Sequence, residues 1–240
     1  MNIALIGYGK MGKTIEQVAL SRGHQVSLKI DLDNTDEFNA VKLEPIDVAI
    51  EFTSPHTAYS NVLKCLELNT PVVCGSTGWL ENLASVEKKC KDSEGSFLYA
   101  SNFSVGVNIF FELNKKLAQL MKDQGQYDIS MREIHHTQKK DAPSGTAITI
   151  AEQIIANHGS KKNWVNHVTS TPTELPIISE RIDPYPGLHE VTYRSSVDEI
   201  TILHNAHSRD GFALGAVLAA EFIAGKKGIF TMKDVLGFGN

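Results

Sequence analysis

The first hundred residues alternate short apolar runs with longer amphipathic ones. Asn2–Ile6, Val26–Ile30, Asp47–Phe52, Pro71–Cys74 and Ser96–Ala100 have the length and apolar content of buried strands. Met11–Arg22, Pro55–Leu68 and Leu80–Asp92 carry apolar residues at helical spacing. In the first these are Ile15, Val18 and Ala19, in the second Ala58, Val62, Leu63 and Leu66. Pro55 falls near the first turn of its helix, where a missing N–H is tolerated. Strands alternating with helices predict a parallel sheet covered on both faces. The pattern changes after Asn102. Ile109–Lys122 predicts a long helix, Tyr127–His135 a strand and Thr146–Asn157 another helix. The stretch from Ser160 to Gly187 is polar, carries Pro172, Pro176, Pro184 and Pro186, and reads as a long excursion or loop. His189–Ser195 and Glu199–His204 form a hairpin pattern around Ser196-Val197-Asp198. Gly211–Ala224 is a helix of small apolar residues, and Gly225–Phe238 is a tail that needs a surface to dock on. The expected fold class is α/β: an N-terminal Rossmann-type dinucleotide-binding domain with an inserted mixed α+β domain. The first covers 1–104 plus 213–240 and the second 105–212.

Composition narrows the function classes. The chain has 240 residues, 42% of them hydrophobic, enough for one large domain or two small ones. A net charge of −5 argues against a general nucleic-acid surface but leaves a local basic pocket open. Met1–Ile6 runs directly into apolar residues without a basic leader, and no stretch has the length of a membrane span. A cytoplasmic location is therefore expected. Cys65, Cys74 and Cys90 are odd in number and form no CxxC pair, so reduced thiols in or near the core are expected. No HExxH motif and no clustered Cys/His spacing occurs, so no metal is expected.

Gly7-Tyr8-Gly9-Lys10-Met11-Gly12 is a GxGxxG between a strand and a helix. Gly7 permits the tight turn, Gly9 lets the backbone approach a pyrophosphate, and Gly12 allows close packing of the helix. The same residues would also serve as a ligand-free glycine turn. Asp31 ends the second strand and is placed to bind the adenine ribose, which favours NADH; the alternative is a solvated loop residue. Lys29 shares its strand parity and could meet a 2′-phosphate. The expectation is that either NADH or NADPH serves, with NADH used at least as well. Phe52-Thr53-Ser54-Pro55-His56 and Gly75-Ser76-Thr77-Gly78 follow the third and fourth strands, where ligands of a doubly wound sheet lie.

The segment from His135 to Thr146 carries the candidate acid chemistry. Reduction of a C=C or C=N bond by hydride needs a proton, and a histidine or lysine supplies one near neutral pH. His136, Lys139 and Lys140 offer positive charge, and Ser144-Gly145-Thr146 starts a helix whose N–H groups suit an anion. A solvated polar loop with an N-cap at Ser144 is the competing reading.

Several blocks stand in order: Gly7–Gly12, Phe52-Thr53, Gly75–Gly78, Asn102-Phe-Ser-Val-Gly-Val-Asn108, and Glu133-x-His-His through Asp141-Ala-Pro-Ser-Gly-Thr146, with Gly187-x-His189 and Ser208-Arg209 besides. Together they resemble the 4-hydroxy-tetrahydrodipicolinate (dihydrodipicolinate) reductase family of the diaminopimelate route to lysine. The resemblance implies NAD(P)H-dependent reduction of a small cyclic dicarboxylate carrying an imine. It implies a second domain that binds substrate and forms a homotetramer. By position, His135 would be the proton donor or acceptor and Lys139 a second donor. His136, Ser144, Gly145 and Thr146 would bind substrate. Gly7, Tyr8, Gly9, Lys10, Met11, Gly12, Asp31, Gly75, Ser76, Thr77, Ala100, Ser101, Asn102 and Phe103 would contact the cofactor; Arg209 has no assigned role. The chain departs from the family pattern in a short segment over Leu32–Pro45, in Gly75-Ser76-Thr77 for Gly-Thr-Thr, in Ser101, and in the less basic Thr137-Gln138. Two alternatives stand beside this reading. One is another Rossmann dehydrogenase of a small amino acid, carboxylic acid or sugar. The other is a non-catalytic nucleotide-sensing protein.

Overall fold

A computed structural model describes residues 1–208 and 210–238. Two compact units emerge, Met1–Val105 with Asp210–Asn240, and Gly106–Arg209. The boundaries lie one residue after and three residues before those expected from the sequence. Among the described residues no helix is long and apolar enough to cross a membrane.

The chain runs β1 (Asn2–Ile6), α1 (Lys10–Ser21), β2 (Gln25–Ile30), α2 (Ala40–Leu43), β3 (Val48–Glu51), α3 (Ala58–Glu67), β4 (Val72–Cys74), α4 (Leu83–Asp92) and β5 (Ser96–Tyr99). It continues through α5 (Val105–Met121), β6 (Asp128–His135), α6 (Gly145–His158), β7 (Asn163–Val165), β8 (Glu174–Arg181), β9 (Gly187–Arg194) and β10 (Glu199–Ala206). It ends with α7 (Asp210–Ile223), β11 (Gly228–Phe230) and α8 (Met232–Leu236).

The first unit is a parallel sheet in the order β11-β5-β4-β3-β1-β2, so the strand order reverses between β1 and β3. Alternation along β1 sends Ala4 and Ile6 to one face and Ile3 and Leu5 to the other. Each face has its own apolar cluster. Val62, Leu66, Val86 and Cys90 from α3 and α4 cover one, and Ile15, Ala19, Ala213, Val217 and Ala220 from α1 and α7 cover the other. The small residues of α7 let its backbone come very close: a Cβ on Gly215 would lie 1.7 Å from the Phe103 carbonyl oxygen. The tail finds its surface at the sheet edge, where β11 pairs in parallel with β5. α3 begins three residues later than Pro55, because a turn closed by Ala58 N donating to Ser54 O precedes it.

The second unit is a mixed sheet, β10-β9-β6-β8-β7, with β10, β9 and β6 antiparallel and β6, β8 and β7 parallel. Its core packs Ile129, Met131, Ile177, Val191 and Tyr193 of the strands against Phe110, Ile150 and Ile154 of α5 and α6. The expected loop over Ser160–Gly187 is corrected: it contains β7 and the eight-residue β8. The prolines hid an alternating pattern in which Leu175 and Ile177 are fully buried. Pro176 lacks an N–H, yet β8 still holds its pairing to β6 from Ile177 onward.

Candidate active site

Two sets of functional residues are built, one in each unit. In the first unit the GxGxxG loop joins β1 to α1. Gly7 has φ +96°, and a Cβ there would lie 2.1 Å from the Phe52 carbonyl oxygen. A Cβ on Gly12 would lie 2.3 Å from the Gly7 carbonyl oxygen. Gly9, at the N-cap of α1, is different: a Cβ there would meet nothing within 4 Å. Fold geometry demands the outer two glycines, whereas the middle one fronts open space at a helix N-terminus. That is the fit expected of a pyrophosphate cradle.

A cavity of about 570 Å³ opens beside this loop at the strand ends, lined by Gly7, Gly9, Asp31, Leu32, Phe38 and Thr53 among others. A smaller cleft of about 260 Å³ is lined by Met11, Phe52–Pro55 and Gly75–Thr77. Asp31 is exposed at the end of β2, with one carboxylate oxygen accepting from Leu32 N. Lys29 is engaged elsewhere: its Nζ lies 2.6 Å from Glu16 Oε1 and 4.9 Å from the centre of the Tyr8 ring. Tyr8 in turn donates to Glu16. Ser101 is exposed, while Phe103 is buried in the core against Phe52 and Ser76 is buried beneath the loop. Any cofactor contact from the last two runs through the backbone.

Sequence reasoning missed the residue that fixes these loops. Glu51, fully buried at the end of β3, accepts from Thr53 N, Thr53 Oγ1, Ser76 Oγ (3.1 Å) and Cys74 Sγ (3.0 Å). Ser76 Oγ also accepts from Thr53 N. One carboxylate therefore ties the ends of β3 and β4 together. An acidic residue inside an otherwise apolar strand was the available signal.

In the second unit the sheet face that is apolar at one end turns polar at the other. Glu133 and His135 follow Ile129 and Met131 at a period of two, so all four face the same way. Cross-strand register sets His189 opposite Glu133 and Arg181 opposite His135. Glu133 is fully buried. Its Oε1 accepts from Ser144 N (3.0 Å) and Arg181 Nη2 (3.2 Å). Its Oε2 lies 3.3 Å from His135 Nδ1 in an ion-pair contact without hydrogen-bond alignment, and 3.8 Å from His189 Nε2. His189 Nε2 is 3.2 Å from Ser144 Oγ, and the two imidazoles meet edge to face with centres 5.2 Å apart. Burial pushes the Glu133 carboxyl up, but the favourable contacts with His135, Ser144 and Ser179 outweigh that and hold it well below the usual carboxylate range. Burial and then the neighbouring His135 push His189 down to about 3, so it is neutral at ordinary pH.

The loop after β6 is braced on both sides. Arg181 Nε donates to Lys139 O and its Nη2 to Asp141 O, while Thr137 donates to Asp183 from its N–H and hydroxyl. Lys139 Nζ donates to both Asp141 oxygens at 2.8 and 2.9 Å. His136 is half-buried and Lys140 exposed. α6 then starts with Ser144 as N-cap, its Oγ accepting from Ala147 N. A Cβ on Gly145 would meet nothing within 4 Å. Ligand atoms of Glu133, His135 and His189 lie within 4.8 Å of one another, close enough for one cation. Arg181 already sets positive charge against Glu133, so the cluster balances its charge from within the chain. Arg209 lies outside the described residues.

Family models describing the N-terminus and the C-terminus of dihydrodipicolinate reductase match residues 1–103 and 106–236. The chain belongs to the dihydrodipicolinate reductase family. A Christiangramia forsetii protein named 4-hydroxy-tetrahydrodipicolinate reductase is 50% identical over 236 residues, 98% of either chain. One of the same name from Methanocaldococcus jannaschii is 36% identical, covering 97% of this chain and 81% of its own. Among solved structures, the dipicolinate-bound dihydrodipicolinate reductase of Paenisporosarcina sp. TG-14 superposes with a TM-score of 0.76. It is 22% identical and covers 96% of this chain and 97% of its own, a likeness of fold. The resemblance and the α/β fold class read from the sequence are both borne out. Membership makes the chain an oxidoreductase that uses a pyridine nucleotide. Arg181 and Glu133 went unassigned in the sequence. The first lay in a stretch read as loop, while the second shares strand parity with His135, a readable signal.

Proposed function

We propose that this chain reduces 4-hydroxy-tetrahydrodipicolinate to tetrahydrodipicolinate with NAD(P)H, in the diaminopimelate route to lysine. When bound, the reduced nicotinamide supplies a hydride. The first unit holds the dinucleotide: the N–H groups around Gly9–Met11 take the pyrophosphate and Asp31 takes the adenine ribose. Gly75–Thr77 and Ala100–Phe103 complete the contacts, the buried members through backbone atoms. In the second unit His135 donates or accepts the proton and Lys139 is the second donor. His136 and the α6 start at Ser144, Gly145 and Thr146 hold the substrate carboxylates. The observation that carries this reading is the clustering of His135, the Lys139 loop and the α6 N-terminus around one buried carboxylate, Glu133.

NADH serves at least as well as NADPH, because Asp31 lines the ribose cavity while Lys29 is held by Glu16. The enzyme works in the cytoplasm as a homotetramer. The β10 edge, with Ile200 and Leu203 at 40% and 51% exposure, supports association through the second sheet. The test is loss of nicotinamide absorbance with the cyclic substrate made in place by its synthase. His135→Gln and Lys139→Ala should each lower kcat by orders of magnitude while NADH still binds. Near-normal turnover in both would sink the assigned roles, and light scattering reads the tetramer.

A further inference from the structure

His135 has two ring nitrogens in unlike surroundings. Nδ1 faces Glu133 Oε2 at 3.3 Å, and neither atom has a hydrogen-bond partner elsewhere among the described residues. Nε2 faces Gly187, where a Cβ would crowd it at 3.1 Å, so the glycine of β9 keeps that side clear. The other Glu133 oxygen is already satisfied by Ser144 N and Arg181. The remaining titratable groups around the pair are His189 on β9, with His204 of β10 behind it, Arg181 on β8, and Lys139 with Asp141 on the loop. The one acid among them, Asp141, is engaged by Lys139, so Glu133 is the group whose negative charge lies in ion-pair contact with the His135 ring.

Two buried polar atoms facing one another at this distance are costly unless a proton lies between them. Resting on the assignment of His135 as the proton-handling group, we propose that Glu133 is its positioning residue. Glu133 holds the proton of the neutral imidazole on Nδ1 and leaves Nε2 as the nitrogen that exchanges protons with substrate. The same carboxylate anchors Ser144 at the α6 N-cap and, through Arg181, the carbonyls of Lys139 and Asp141. A single buried charge thus sets His135, the loop that carries Lys139 and the carboxylate cradle in one register.

Three measurements test this. Heteronuclear NMR of the histidine ring nitrogens in the wild-type chain should show neutral His135 protonated at Nδ1 and bare at Nε2; the opposite tautomer overturns the proposal. In Glu133→Gln, kcat at neutral pH should fall about tenfold or more with NADH affinity unchanged. In that variant the amide oxygen stays with Ser144 N and Arg181, so the amide NH2 faces Nδ1 and the neutral ring should carry its proton on Nε2. A ring still protonated at Nδ1 in Glu133→Gln, with kcat lowered, means the carboxylate is merely structural and overturns the proposal. His135→Gln separates the two levels. Lost turnover there beside an unchanged tautomer in Glu133→Gln refutes the positioning role alone, whereas retained turnover refutes the catalytic reading as well.

Discussion

The middle and first glycines of the phosphate loop should fail in opposite ways. At Gly9 the backbone is extended, φ −75° and ψ −155°, and a Cβ would have nothing within 4 Å. Gly9→Ala therefore costs the fold nothing, and by narrowing the unfolded ensemble it can add about 0.4–1 kcal/mol. The new methyl occupies the closest approach to the α1 N-terminus, where a pyrophosphate must sit within hydrogen-bond reach of the N–H groups. Losing one charge-assisted hydrogen bond, about 1.5–3 kcal/mol, raises the NADH Kd roughly tenfold to about 150-fold. At Gly7 an alanine would carry φ +96° and a Cβ 2.1 Å from a backbone oxygen that cannot swing away. The left-handed conformation alone costs about 1 kcal/mol, and relief of the clash must shift β3 or the loop. Against a stability of about 5–15 kcal/mol the expected result is a chain that melts well below wild type. Thermal unfolding and NADH fluorescence titration measure both variants. Wild-type NADH affinity in Gly9→Ala, or a wild-type melting temperature in Gly7→Ala, would refute the assignment of space to ligand and to fold.

Other substitutions divide the second unit and its partner in the same spirit. Gly145→Val adds bulk where a Cβ meets nothing, so the fold should hold while KM for the cyclic substrate rises about tenfold and kcat stays near wild type; a fall in kcat alone would contradict the carboxylate cradle. Glu51→Ala strips the acceptor from Thr53, Ser76 and Cys74 and should destabilise the first unit by about 3 kcal/mol or more in urea unfolding, with Glu51→Gln costing less. His189 stays neutral in the fold, burial and then His135 holding it down to about 3 from 6.5. Below pH ~6.5 the unfolded chain takes up a proton that the folded chain refuses, so stability falls as the pH drops and levels off near pH 3. Between pH 6.5 and 4 the loss from this group is about 3 kcal/mol, and urea midpoints of His189→Gln should show a correspondingly flatter pH dependence. Glu133, held low, adds loss in the same direction only below pH ~4.

Much of the first unit was written locally. Strands such as Ile3–Ile6 are buried on both faces, so they read as unbroken apolar runs, and helices such as α1 show their buried side at a regular spacing. The Gly7–Gly12 loop and the Ser144 N-cap were legible too, because each depends on a few consecutive residues and their backbone needs. What the chain order could not express was which residues face one another across a sheet. Arg181 lay in a proline-rich stretch with no apparent strand, and only the parallel register of β8 with β6 sets it opposite His135. Glu51 and Glu133 were single acids in strands, and their meaning came from donors 2 to 48 residues away in the chain. The sequence by itself determined the two-unit α/β plan and the chemical types present, since periodicity and turn chemistry are short-range. Tertiary structure decided which glycine fronts open space, which lysine is tied down, and that one buried carboxylate gathers both halves of the acid segment. Burial and partner geometry arise only when distant strands pair.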